Sequence, residues 1–288
     1  MKKNKHVVAT GLLIFWALVA GCSSPTAVDT NLKQEEADQG NKPQTEPLDI
    51  SNMQVDKYFP HNKGTFVMRD MLTNQTFIYN EERARKPQPP ESTFKIVNAL
   101  IGLQVGVVQD EYEVKRWDGV KRSRGEWNKD HTLGSAMRAS AVWYYQAMAR
   151  DIGKERMQEW LNKLNYGNKD ISAGIDTFWL NSSLQISPLE EMEFLSRLVQ
   201  EKLPFDKKHM KTVKRMLIQE EGDNYTLFGK TGTRNNPPAG WFVGFVESNY
   251  HTYVFAANID GQGTVAPQKI KDLATDILKE YRIIEPNK

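Results

Sequence analysis

The first ordered pattern is a pair of short apolar runs. "GTFVMRD" (Gly64 to Asp70) and "TFIYN" (Thr76 to Asn80) are rich in β-branched and aromatic residues, and the linking "MLTNQ" carries the Asn of a turn. Together they predict a hairpin. Residues 92 to about 105 switch to helical spacing, with Phe94, Ile96, Val97, Leu100 and Ile101 on one face. From about 110 to 220 helical patterns dominate and no run reads convincingly as a strand. "MQEWLNKLNYGN" closes on a Gly stop signal, and "SPLEEMEFLSRLVQEKL" opens with Ser187 as cap and Pro188 in the first turn. β character then returns in "NYTLFGKTGT", "GWFVGFVES" and "HTYVFAANID", the last two separated by a short turn around Asn249. "APQKIKDLATDILKEYRII" predicts a closing helix. Helices and strands come in blocks and do not alternate, which argues for an α+β fold. The expected architecture is an antiparallel β-sheet flanked by helices, with a mainly helical region inserted between its two halves.

The N-terminal 52 residues fall outside that pattern. Lys2, Lys3 and Lys5 precede an apolar stretch from Val7 to Ala20. A basic head and a short apolar run make a secretory signal, and the run is shorter than the ~20 residues a membrane-spanning helix needs. It ends in "LVAGCSS", which resembles a bacterial lipobox with Cys22 as the lipidated residue. Two acyl chains on Cys22 suffice for stable anchoring. Residues 23–52 are polar, aperiodic and contain three prolines, so they read as a flexible tether. The expected organisation is a signal peptide over 1–21, a tether over 22–52 and one catalytic domain over 53–288. Export and a lipid anchor on the outer face of the bacterial cytoplasmic membrane follow from the address, with a periplasmic or secreted form as the alternative.

Composition narrows the function classes. The 288 residues are 39% hydrophobic and 26% charged, which suits a globular domain and not a disordered chain. With 38 basic against 36 acidic residues, a net charge of +2 gives no reason to expect nucleic acid as a partner. The basic runs "KRSR" (Lys121 to Arg124) and "KKHMKTVKR" (Lys207 to Arg215) read as solvated faces. A single cysteine, Cys22, allows no internal disulfide and no cysteine-based metal site. The five histidines, His6, His61, His131, His209 and His251, show no metal-ligand spacing. No metal is expected.

Chemistry enters with "PPESTFKIVNAL" (Pro89 to Leu100). Ser92 and Lys95 are spaced to share one face of a helix. A serine hydroxyl needs a base before it can act as a nucleophile, and Lys95 is the candidate. If the helix starts near Ser92, its free N–H groups also favour negative charge developing there. A lone Ser-x-x-Lys is frequent by chance. Here it is accompanied by "SAV" (Ser140, Ala141, Val142), "YGN" (Tyr166 to Asn168) and "KTGT" (Lys230 to Thr233), the last on a predicted strand and followed by "GWFVGFVE". Ser-x-x-Lys with a Lys-Thr-Gly strand is the signature of penicillin-recognising serine enzymes. With "WNKDHTLGSAM" (Trp127 to Met137) and "GIDTFWL" (Gly174 to Leu180), the set resembles the class D, oxacillinase-type serine β-lactamases over about Asp56 to Ile284.

The resemblance implies a role for each matching residue. Ser92 is the acylated nucleophile. Lys95 is carboxylated by CO2 and serves as general base, so CO2 or bicarbonate is needed and no other cofactor. Carboxylation requires an uncharged amine, and burial lowers a lysine pKa. Phe94, Val142 and Trp179 would wall that amine, and Trp179 would donate its indole N–H to the carbamate. Ser140 relays protons, Lys230 adds positive charge, and Thr231 binds the substrate carboxylate. Val142, Gly232 and Thr233 also line the substrate, and the N–H groups of Ser92 and Thr233 form the oxyanion hole, where one donor is typically worth ~3 kcal/mol. "YGN" reads as a helix-ending turn that shapes the site. β-Lactam antibiotics are the implied substrates.

Two positions depart from the family pattern. Many members hold the substrate carboxylate with an arginine beyond the sheet; "VAPQKIKDL" has none, which leaves Lys269, or Arg234, as the stand-in. Lysine lacks the fork that grips a carboxylate with two bonds. Glu91 also stands where a small residue is common. "KTGT" and "GWFVGFVES" are equally similar to the sensor domains of β-lactam receptors, which stay acylated, and a peptidoglycan transpeptidase or carboxypeptidase is a third reading. Such receptors carry membrane spans and a zinc-protease segment upstream, whereas this sequence shows a signal and no His-Glu-x-x-His.

Overall fold

The computed structural model describes residues 53–59, 63–180, 183–248, 251–261 and 265–284, all within the compact unit Pro47–Lys288. The signal, Cys22, the tether and the turn at Asn249 lie outside the described residues.

β1 (Gly64–Asp70) and β2 (Thr76–Tyr79) pair antiparallel, from Phe66↔Tyr79 to Arg69↔Thr76. Asn74 takes a left-handed conformation in their connection, as a turn Asn tolerates. A short helix, α1 (Glu81–Ala84), is capped by the Asn80 side chain. The expected helix over 92–105 begins as a 3-10 turn, Glu91–Phe94, and becomes α2 only at Lys95–Gln104. That difference keeps Ser92 and Lys95 together, because residues three apart eclipse one another in 3-10 geometry.

The helical region contains two strands that the sequence pattern does not show. β3 (Val114–Lys115) and β4 (His131–Thr132) form a separate two-stranded ladder. At two residues each they are too short to display a period. After them come α3 (Leu133–Ala139), α4 (Val142–Ile152), α5 (Lys154–Leu164), α6 (Pro188–Val199) and α7 (Lys207–Met216). α6 starts as expected, with a capping box between Ser187 and Glu190 and Pro188 in its first turn. The region ends in a third unexpected strand, β5 (Ile218–Glu221). It is polar and partly exposed, as an edge strand tolerates.

β6 (Tyr225–Asn235), β7 (Pro238–Ser248) and β8 (His251–Asp260) complete an antiparallel sheet of order β2-β1-β8-β7-β6-β5, and α8 (Pro267–Glu280) follows. The first and last long strands of the described residues thus lie side by side in one sheet, as β1 against β8. Alternate residues of the central strands enter two cores. Val67, Trp241, Val243, Phe245 and Val254 face the helical region, while Phe66, Met68, Phe242, Val246 and Phe255 pack with Ile270, Ala274 and Ile277 of α8. Burial on both faces explains why "GWFVGFVE" is an unbroken apolar run and not an alternating one.

One feature of this sheet positions the site. β5 pairs with β6 only from Thr226 to Phe228, so beyond that point β6 has an open edge. The Glu91–Phe94 turn packs against it, at the seam between the sheet and the helical region.

Candidate active site

The turn that presents Ser92 is held from four sides. The Trp241 indole of β7 donates to Pro89 O at 3.0 Å, and Glu91 N donates to Trp179 O at 3.0 Å. Gln88 bridges Ile186, and the Thr93 hydroxyl lies 2.8 Å from Pro90 O. These contacts hold Glu91 in a left-handed conformation (φ 55°), which costs a non-glycine residue on the order of 1–2 kcal/mol. Gly232 lets β6 come close: a Cβ there would stand 2.9 Å from Pro90 O and 3.3 Å from Ser92 N. Ser140 ends α3, also left-handed (φ 53°), while the Trp127 indole donates to Ala139 O just before it.

These devices bring four of the expected residues into one cluster. Lys95 Nζ is 2.5 Å from Ser92 Oγ and 3.3 Å from Ser140 Oγ. Lys230 Nζ donates to Ser140 Oγ at 3.0 Å and to Thr231 O at 2.9 Å. Ser140 therefore stands between two amines, both of them buried, Lys95 at 0% exposure and Lys230 at 4%. Burial drives the Lys95 amine well below the usual lysine range. The Lys230 charge and Arg124 push it the same way, against the pull of Glu91. Lys230 is lowered to about 7, by burial first and by Arg124 second. Two amines this close and this dry disfavour a double charge, and Lys95 is the one left neutral.

The walls around Lys95 are aromatic. Phe94 stacks on Trp179 at 5.5 Å between ring centroids, and the Lys95 Nζ lies 5.7 Å from the ring centre of Tyr145, a residue with no sequence signal of its own. The Trp179 indole nitrogen is buried and has no hydrogen-bond partner. An unpaired buried donor costs about 1–3 kcal/mol, so it marks a place where an acceptor belongs.

Above the cluster lies a cavity of about 780 Å³. Ser92, Ser140, Val142, Thr231 and Thr233 line it, while Gly232 is buried beneath, against the turn. Lys269 and Arg234 do not line it: Lys269 is exposed, and the Arg234 side chain donates to Pro237 O. The cations on the cavity wall are Arg124 and Arg138. "KRSR" is thus not merely a solvated face, since its last residue reaches the site. Arg124 lies against the Trp127 ring, 5.2 Å from its centre. The "YGN" segment is a turn, as expected: Gly167 is left-handed, and a Cβ there would strike Gln185 O. Its Tyr166 is also buried and bonded to Glu191, a residue the sequence did not single out.

The comparisons agree with this geometry. A family model described as penicillin binding protein transpeptidase domain matches residues 33–279. The chain is 61% identical over 238 residues to the probable β-lactamase YbxI of Bacillus subtilis (strain 168), covering 82% of this chain and 88% of that relative. It is 39% identical over 225 residues to β-lactamase OXA-48 of Klebsiella pneumoniae, covering 77% and 85%. The solved class D β-lactamase BAT-2 superposes with a TM-score of 0.80 at 57% identity, over 83% of this chain and 100% of that one. The chain belongs to the class D β-lactamase family.

Proposed function

We propose that this protein hydrolyses β-lactam antibiotics through an acyl-enzyme on Ser92, and so protects cell-wall synthesis. The observation that carries the reading is a fully buried amine 2.5 Å from the serine it must activate, in surroundings that disfavour its charge. Ser92 Oγ bonds to the lactam carbonyl carbon as the ring C–N bond breaks. The departing nitrogen receives its proton through Ser140, which Lys230 holds in place. Water then cleaves the ester, the acid leaves and Ser92 regains its proton. The N–H groups of Ser92 and Thr233 stabilise the oxyanion, and Thr231 with Arg124 receives the substrate carboxylate. An exposed arginine keeps the two-pronged grip that a lysine lacks.

Carboxylation of Lys95 fits the residues present, because burial lowers its amine well below the usual lysine range and the Trp179 N–H lacks an acceptor. Once formed, the carbamate would supply an anionic oxygen that takes the proton from Ser92 and later from water. Phe94, Trp179 and Tyr145 keep bulk water from that nitrogen. We place the mature protein outside the cytoplasmic membrane, anchored through lipid on Cys22. The test is turnover of a chromogenic cephalosporin with and without bicarbonate. Multiple turnovers that quicken with bicarbonate are expected. One equivalent of acylation without turnover would instead assign a β-lactam sensor.

A further inference from the structure

A second polar cluster touches the turn that carries Ser92. Glu191 of α6 is 1% exposed, and its Oε1 lies 2.6 Å from Thr93 Oγ1 and 2.8 Å from the Tyr166 hydroxyl. Thr93 Oγ1 is also 2.8 Å from Pro90 O. Each of these three oxygen–oxygen contacts needs a proton between its partners. Pro90 O is a carbonyl and only accepts, so the Thr93 proton is committed there. The Tyr166 proton serves Glu191. Nothing remains for the contact between Glu191 and Thr93 unless the carboxyl itself brings a proton.

We propose that Glu191 is a positioning residue: as the neutral acid it donates to Thr93, which frees Thr93 to hold Pro90 and so keeps Ser92 in line with Lys95. The proposal rests on the serine–lysine reading above. The chain of donors then runs one way, from Tyr166 to Glu191 to Thr93 to Pro90. Ionised Glu191 would draw the Thr93 proton to itself, and the turn would lose its side-chain tie one residue from the nucleophile.

The surroundings favour the neutral form. Burial pushes the Glu191 carboxyl up to about 7, against the two hydroxyls, with the neighbouring Glu190 adding to the rise. Several charged groups on the elements packed against α6 are paired with residues other than Glu191. Arg69 of β1 pairs with Glu193, Arg83 of α1 with Asp260 and Lys214 of α7 with Glu201. Asp70 of β1 faces His251 of β8, and Glu247 of β7 is exposed.

Glu191→Gln separates a proton effect from a packing effect: its amide nitrogen, set in the place of Oε1, donates to Thr93 at every pH, and the bond that Oε1 accepted from Tyr166 is lost equally at every pH. The experiment follows acylation by a fluorescent penicillin from pH 5.5 to 9 in saturating bicarbonate, with urea unfolding over the same range. The native protein should acylate more slowly above about pH 7. In Glu191→Gln that fall should become shallower, what remains belonging to the Lys230 amine, which is also lowered to about 7. Glu191→Ala should be about tenfold slower throughout, for the loss of one buried hydrogen bond. The stability of the native protein relative to Glu191→Gln should fall as pH rises toward 7, since the folded acid holds a proton that the unfolded one releases. Superimposable pH–rate profiles for the native protein and Glu191→Gln would overturn the proposal. Absence of acylation in both at every pH would overturn the serine–lysine reading and this role with it, while a pH-dependent stability gap would still record the proton on Glu191.

Discussion

Trp179→Phe removes an indole N–H and keeps an aromatic ring against Phe94. In the native site that N–H is buried without an acceptor while Lys95 is a free amine. Relieving an unpaired buried donor is worth about 1–3 kcal/mol. The smaller ring leaves a void costing roughly 1–2 kcal/mol. In bicarbonate-free buffer the two terms offset, and the variant should unfold within about 1 kcal/mol of the native protein. A carboxylated Lys95 would behave differently, because there the N–H would donate to an anion. Such a bond contributes about 1.5–3 kcal/mol, so its loss weakens retention of CO2 by about 10- to 100-fold. The assay is cephalosporin turnover against bicarbonate concentration, paired with thermal unfolding. If Lys95 takes up CO2 only in the folded state, bicarbonate should raise the unfolding temperature of the native protein more than that of the variant. Equal bicarbonate dependence in the two proteins would refute the reasoning. So would a large loss of stability in bicarbonate-free buffer.

Other substitutions test other contacts. Gly232→Ala drives a methyl group to 2.9 Å from Pro90 O, and the displaced turn should cost roughly 100-fold in acylation rate while the protein stays folded. Arg124→Gln should raise KM for β-lactams bearing a carboxylate and move the acid limb of the pH–rate profile upward, because Arg124 holds both site amines down. Lys230→Met gives a signed stability test. The folded amine titrates near 7 and the unfolded one near 10.5, so the unfolded chain binds the extra proton between those values. The stability of the native protein relative to Lys230→Met should therefore rise with pH across that window, by several kcal/mol in order of magnitude, as read by urea unfolding. Cys22→Ser should abolish incorporation of labelled fatty acid and release the protein from the membrane fraction.

The sheet and the long helices were legible because each carries enough residues to show a period. α6 announces itself with a cap, a proline and an apolar stripe. β3 and β4, two residues each, carry no period, and polar β5 belongs to the sheet only because β6 offers it an edge. The 3-10 start of α2 was hidden for a different reason: a spacing of three satisfies either helix type. In the site, Ser92, Lys95, Ser140 and Lys230 stood in motifs whose combination is rarer than any one of them. Arg124 did not, because a basic run looks the same whether its loop faces solvent or folds over a cavity. Glu191 is one of three glutamates in the four residues from 190 to 193, and helical spacing alone does not tell which of them turns inward.

The central claim is that the Lys95 nitrogen is dry and uncharged at neutral pH, and therefore takes up CO2. Carbon-13 NMR of the protein in labelled bicarbonate tests it directly. A single slowly exchanging carbamate signal is predicted, present in the native protein and absent from Lys95→Ala. A native enzyme that turns over β-lactams at full rate with no such signal would contradict the claim.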